Sequence, residues 1–222
     1  MIKTLLKAGI VILPWKLKRP VLEKFFEYDL HRESRIGIAW VFPKKLIMGQ
    51  GATIGHCTVC KEIDLLNMGA HSSIGRLNWI TGFPSHRSDF FSHQTDRNPE
   101  LVMEVHSALT NRHLVDCTDR VTIRKFATVA GFHSQILTHS IDLAENRQHS
   151  RPIEIGSYCF VGTNSVILGG SSLPDFSVLG AKSLLNKRHT ETHMLYGGVP
   201  AEPICRVPPE TKYFNRTTGF VR

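Results

Sequence analysis

The sequence predicts an all-β solenoid, and three observations carry the prediction. Over residues 155–184 an aliphatic residue recurs every six positions, at Ile155, Val161, Ile167, Leu173 and Leu179, and Leu185 opens another unit. A small residue stands four places after each, at Cys159, Ser165, Ser171, Ser177 and Ser183. Glycine directly follows three of the aliphatics, at Gly156, Gly162 and Gly180. A period of six suits neither an α-helix nor a plain alternating strand. It suits a stacked coil with three flat faces and one hexad on each. The aliphatics then point inward and stack on their counterparts one coil away. Small residues fill the tight corners, glycine supplies turn geometry that other residues resist, and the backbones bond between coils as parallel ladders.

Taken in order, residues 1–44 form an amino-terminal extension or cap, helical or irregular. The apolar run Ala8–Trp15, bounded by Lys7 and Lys16, is far short of the roughly 20 residues that span a bilayer, and no small-residue cleavage site follows it. Residues 1–26 hold Lys3, Lys7, Lys16, Lys18, Arg19 and Lys24 against one acid, Glu23. Two readings fit: a cap packed on the solenoid, and a peripheral contact with an anionic membrane surface. The solenoid proper is expected over residues 45–188. Its early part is broken: Met48-Gly49 leads to Ala52 and Ile54-Gly55 to Thr58, and the pattern returns 20 residues later at Met68-Gly69 and Ile74-Gly75. Met103, Leu109 and Val115 lie six apart, and Ile123 and Val129 continue the series. Two stretches without period, 83–101 and 140–152, must project from the stack, and projecting loops are where sites are built. Residues 189–222, rich in proline, form an extended tail that leaves the last coil and folds back.

Composition narrows the partners. A net charge of +8 and a pI near 9.4 favour phosphate-bearing or anionic ligands. No basic stripe is interleaved with aromatics, so nucleic acid is not expected. Five scattered cysteines, an odd number, imply no disulfide framework. Cys57 and Cys60 form a lone C-x-x-C read as small residues of the coils. Free thiols suit a cytoplasmic protein, and the basic amino terminus suggests the inner face of the membrane.

The segments Thr138-His139-Ser140 through Arg147, Pro152-Ile153-Glu154-Ile155-Gly156, Phe160-Val161-Gly162, Leu179-Gly180-Ala181-Lys182-Ser183 and Gly198-Val199-Pro200-Ala201 resemble the hexapeptide-repeat acyltransferases. The likeness is to the branch of maltose, galactoside, xenobiotic and polysaccharide O-acetyltransferases. It is strong over residues 121–206, looser over 45–120 and absent from 1–40. It implies a left-handed parallel β-helix, a homotrimer, acetyl-CoA as donor without any metal, and a hydroxyl or amine acceptor. The family's catalytic histidine precedes a loop, an arginine and a proline-led strand, and His139 takes that position here. The resemblance also implies a slot for the pantetheine arm between neighbouring coils of two subunits. Gly162, Gly180, Ala181, Pro200 and Ala201 would line it, with Lys182, Lys187, Arg188 and Arg206 toward the phosphates. One departure stands out: Glu202 follows Ala201 where the family often has lysine, so Arg206 is the expected substitute.

The residues themselves agree on His139, which stands at the mouth of the second interruption. A neutral imidazole can take the proton of a sugar hydroxyl near pH 7. His113 and His133, by the hexad count, both fall at the small-residue position, and such breaks of a local rule tend to mark function. His113 therefore joins the catalytic candidates. Asp116 and Asp142 are the acids available to orient a histidine, and the sequence does not choose between them. His133, Asp142 and Arg147 are expected to meet the acceptor. The expected activity is acetyl-CoA-dependent O-acetylation of a sugar hydroxyl in polysaccharide biosynthesis, by direct transfer. Two alternatives remain: a zinc enzyme of the γ-carbonic-anhydrase kind using His113, His133 and His139, and a non-enzymatic scaffold.

Overall fold

The computed structural model describes residues 2–87 and 90–221. The chain winds into a left-handed parallel β-helix of triangular section. It visits three parallel sheets in turn, of seven, nine and seven strands. Register aligns three columns of inward side chains. Leu30, Met48, Met68, Met103, Ile123, Ile155 and Leu173 stack on the first face. Ile36, Ile54, Ile74, Leu109, Val129, Val161, Leu179 and Tyr196 stack on the second. Val41, Cys60, Ile80, Val115, Ile136, Ile167 and Leu185 stack on the third. All are buried, and truncating one to alanine is worth about 2–5 kcal/mol.

The corners explain the small residues. Ser34, Ser72, Ser107, Ser165 and Ser171 each donate a hydroxyl hydrogen bond to the carbonyl three residues earlier, at 2.6–3.0 Å. A short hydroxyl side chain both fits inside the turn and reaches that carbonyl. The glycines hold coils together. A Cβ at Gly75 would lie 2.2 Å from the Thr110 carbonyl oxygen of the next coil, and one at Gly55 2.5 Å from that of Gly75.

The solenoid starts at Asp29–Leu30, ahead of the start expected near residue 45. Leu30 and Ile36 are six apart and already inward. The next step is hidden because Val41, not Phe42, pairs with Cys60. Two helices, α1 (Ile2–Ile12) and α2 (Trp15–Phe26), precede it. Pro14, in extended backbone (φ −55°, ψ 145°), separates them as the N-cap of α2, which itself runs through Pro20. Leu22 and Lys18 bury α2 on the first coil, and the Lys18 ammonium donates to the Gly37 carbonyl at 2.8 Å. A groove of about 710 Å³ runs between the α1–α2 turn and the glycines Gly37, Gly55 and Gly75.

The corner between the first and second faces carries an aromatic ladder that the sequence reading did not anticipate. His71, His106, Phe126, Tyr158, Phe176 and His193 all adopt positive φ. Their rings stack with successive centroids 4.6–5.3 Å apart. Left-handed backbone costs about 1–2 kcal/mol at a non-glycine residue, and each ring pair returns about 0.5–1.5 kcal/mol. After a strand Met194–Gly197 added to the second face and an antiparallel return Glu202–Arg206, the tail runs along this ladder. Phe214 is buried edge-on to Phe176 and His193, and the Arg216 guanidinium covers Tyr213, Tyr158 and Phe126. Phe214→Ala is expected to release residues 207–221 while leaving the coils intact. Amide exchange should show the tail losing protection and residues 121–185 keeping theirs.

Candidate active site

Both insertions leave the stack at one corner, between the third and first faces. The first, residues 82–99, follows the strand Trp79–Thr81; the second follows Gln135–Leu137. The second is a two-stranded antiparallel hairpin, His139–Asp142 with Arg147–Ser150, rather than an irregular loop. Between them lies the uninterrupted corner of the intervening coil, Asp116-Cys117-Thr118-Asp119. That corner supplies the acid.

Asp116 is almost fully buried and fully employed. Its Oδ2 accepts from the Thr138 amide (3.0 Å) and hydroxyl (2.8 Å), the His139 amide (3.1 Å) and His139 Nδ1 (2.8 Å). Its Oδ1 accepts from the Thr118 hydroxyl at 2.6 Å and amide at 3.2 Å. Burial alone would push the carboxyl up; hydrogen bonds from His139, Thr118 and Thr138 outweigh it, and its pKa falls below the usual carboxylate value. An ionised carboxylate accepts only, so His139 Nδ1 carries the proton. The hydrogen bond to Asp116 raises the His139 pKa against the effects of burial and of Arg97. Nε2 makes no hydrogen bond among the described residues and faces a partly open site.

The surroundings hold this pair rigidly. Phe83 and Phe91 of the first insertion stand edge-on to the imidazole, with centroids at 5.7 and 6.3 Å. Buried Arg97 donates to the carbonyls of Phe83, Pro84 and Thr118 and lies 4.5 Å from the Phe91 ring. Gln94 bonds both the amide and the carbonyl of Ser150 (2.8 and 3.0 Å), joining the first insertion to the hairpin. Asp119 accepts from the Asn98 amide and the Ser150 hydroxyl. A cleft of about 350 Å³ opens beside His139 and climbs the corner past Gly169 to Asn186. Ser140, Asp142, His149 and Arg151 line its other side. Arg151 Nε donates to His149 Nε2 at 2.8 Å.

Of the two acids, the structure brings Asp116 to His139. Asp142 instead accepts from the amides of Ala144 and Glu145, shaping its own turn, while lining the cleft. Arg147 pairs in register with Asp142 and lines a separate hollow with Phe90 and Ile141.

His113 is not brought to His139; it lies at the opposite edge of the third face. Its Nδ1 accepts from the Ser134 amide at 3.1 Å and its Nε2 meets the Thr110 hydroxyl at 3.0 Å. Burial drives its pKa down to about 4. This is a neutral corner histidine in the small-residue column, not a proton acceptor for substrate. His133 is not in that column. One extra residue around Gly131, at φ +71°, breaks the register against the preceding coil. Ser134 therefore takes the inward place, and His133 sits exposed at positive φ. Among the described residues no three His, Cys, Asp or Glu side chains converge as a metal site would require, and His113, His133 and His139 are not brought together within the chain.

The residues expected at the coenzyme also gather at the far edge, between the second and third faces. Gly162 abuts Ala181, where a Cβ would lie 2.5 Å from the Ala181 amide. Buried Ala201 donates to the Leu184 carbonyl. Gly180, Lys182 and Pro200 complete this corner. Within one chain it is separated from His139 by the width of a face. Glu202 takes Lys187 at 2.6 Å, and Arg206 meets Glu191 at 3.6 Å. Arg97, Gln94, Thr118, Thr138, His149 and Arg151 went unrecognised in the sequence. Only Asp116-x-Thr118, the spacing of a side chain that bonds its own turn, left a signal.

No protein-family model matches the sequence, and no curated protein matches it. Solved structures do. The polysialic acid O-acetyltransferase OatWY superposes with a TM-score of 0.58 at 16% identity, over 81% of this chain and 84% of that one. A variant of AntD, an N-acyltransferase from Bacillus cereus in complex with dTDP and coenzyme A, gives 0.55 at 12% identity over 89% and 94%. A hexapeptide-repeat-containing acetyltransferase from Vibrio cholerae gives 0.51 at 15% identity over 91% and 87%. The chain has the hexapeptide-repeat acyltransferase fold. That likeness, over 81–91% of the chain, is one of fold and leaves the hydrogen-bond network around Asp116 as the feature from which this chain's chemistry is read.

Replacing that carboxylate tests the electrostatics. With Asp116 in place, His139 becomes neutral only as pH rises through a value above the ordinary imidazole pKa of about 6.5, so the acid limb of any His139-dependent rate lies above that value. Asp116→Asn removes the raising influence, and the pH–rate profile should show the limb displaced to lower pH with a smaller plateau.

Proposed function

We propose that this protein is an acetyl-CoA-dependent O-acetyltransferase acting on a sugar hydroxyl. One observation carries the reading: His139 Nδ1 is held by a buried, ionised Asp116 while Nε2 faces an open cleft. In the step proposed, Nε2 takes the proton as the acceptor oxygen attacks the thioester carbonyl. A backbone N–H holds the oxyanion. The carbon–sulfur bond then breaks, and coenzyme A leaves as its thiolate and collects the proton. Asp116 positions the imidazole and stabilises the imidazolium, as an orienting carboxylate does for other histidine bases.

A homotrimer is part of the proposal. The outer surface of the third face carries a register-aligned stripe, Trp40, Val59, Trp79, Leu114, Gln135, Val166 and Leu184. Trp79 and Leu114 are well exposed, as are Leu77 and Phe132 at its edge. An apolar patch of this kind marks an interaction surface. His139 lies at one edge of this face and the Gly162–Gly180–Ala201 corner at the other. Three-fold packing about it would bring one subunit's glycine corner to the next subunit's His139. The pantetheine arm would lie along that seam, with Lys182 and Arg188 toward the phosphates. His149, Arg151 and Asp142 would meet the acceptor, for which a precursor of a surface polysaccharide made in the cytoplasm is the reading favoured by the basic chain. OatWY, acting on polysialic acid, is a precedent on the same fold for a glycan hydroxyl.

His139→Ala should lower turnover by about two to four orders of magnitude, read as thiol release from acetyl-CoA with a panel of sugars and nucleotide sugars, while the assembly stays intact. Near-wild-type turnover in this variant would refute the assignment.

A further inference from the structure

The amino-terminal helices present more apolar surface than the solenoid uses. A surface helix needs one apolar stripe. On α1 that stripe is Ile10, buried, with Lys7 and Val11 half-buried. Leu5, Ala8, Gly9 and Ile12 lie away from that stripe and Leu6 flanks it one turn before Ile10, all exposed, and among the exposed positions described on this helix only Thr4 is polar. Leu5 is 66% exposed, Leu6 63% and Ile12 71%; on α2, Leu17 is 60% and Phe25 70% exposed. Scattered exposed apolar residues are ordinary. Five large ones within one helical pair are a patch in want of a partner.

Charge selects the partner. Lys18 is spent on the Gly37 carbonyl and Arg19 on Glu23. Lys16 and Lys24 are exposed and adjoin Leu17 and Phe25, with no acid bonded to them among the described residues. A second copy of this surface would bring lysine against lysine. A negatively charged lipid surface accepts both the apolar side chains and the ammonium groups. No described helix is long and apolar enough to cross a membrane, so the helices would lie in the interface.

We propose that α1 and α2 dock the protein on an anionic bilayer. Leu5, Leu6, Ile12, Leu17 and Phe25 enter the boundary between headgroups and acyl chains, and Lys16 and Lys24 pair with lipid phosphates. This docking is independent of acetyl transfer, because it needs neither His139 nor the cleft.

The test is co-sedimentation of the full chain with extruded vesicles, without acetyl-CoA. With equimolar phosphatidylglycerol and phosphatidylcholine the protein should pellet. With phosphatidylcholine alone, partitioning should fall by about tenfold or more, as expected for two surface lysines, and salt should weaken the anionic case. The double variant Leu5→Glu, Leu6→Glu, at exposed positions, should lose binding by more than about tenfold at unchanged Tm. Wild-type protein left in the supernatant, equal binding to both vesicles, or undiminished binding by the double variant would each overturn the proposal. So would sedimentation velocity, run without lipid, that shows a larger assembly dissolved by the double variant, since a second copy would then cover this face.

Discussion

The tight corner governs this molecule. Each coil must turn three times within a few residues. A turn is closed by a residue at positive φ, an inward small side chain bonded to the carbonyl three places back, and a backbone approach that often leaves no room for a Cβ. The inward columns bury apolar surface only while those turns keep successive coils in register. The single-residue slip at Gly131 shows how narrow the tolerance is: it moves His133 outward and Ser134 inward. The aromatic ladder meets the same requirement, since stacked rings offset the strain of positive φ at six successive non-glycine corner residues.

The candidate site follows from where corners are relaxed. Two insertions leave the stack at the same corner, on either side of a coil that turns tightly. That intermediate corner delivers Asp116 into the space between them. Six protein donor groups converge on its carboxylate, enough to outweigh burial and keep it ionised. The same bonds fix Thr138 and His139 at the base of the hairpin, and Arg97 and Gln94 tie the first insertion to this frame. His139 is thus held from three successive coils.

Much of the fold was legible because the hexads of residues 155–184 are unbroken, and each inward aliphatic and small corner residue read there occupies that role. The coil from Asp29 was missed because Val41 displaces Phe42 by one position. Of the site, His139 was legible from its place at the mouth of an interruption. Its partner was one of two open choices, because Asp116 and Asp142 differ only in what folds over them. His113 misled for a physical reason: a buried corner can satisfy an imidazole with a backbone amide and a threonine hydroxyl, so a bulky residue in a small slot need not be reactive. Arg97 and Gln94 act across insertions without period, where spacing carries no information.

The central claim is that Asp116 fixes the tautomer of His139 and leaves Nε2 free to accept a proton. Nitrogen-15 NMR of the imidazole in the intact protein, above the raised pKa, tests this most directly. The account predicts a proton on Nδ1, an unprotonated Nε2, and loss of that bias in Asp116→Asn. A neutral His139 protonated at Nε2 would contradict it.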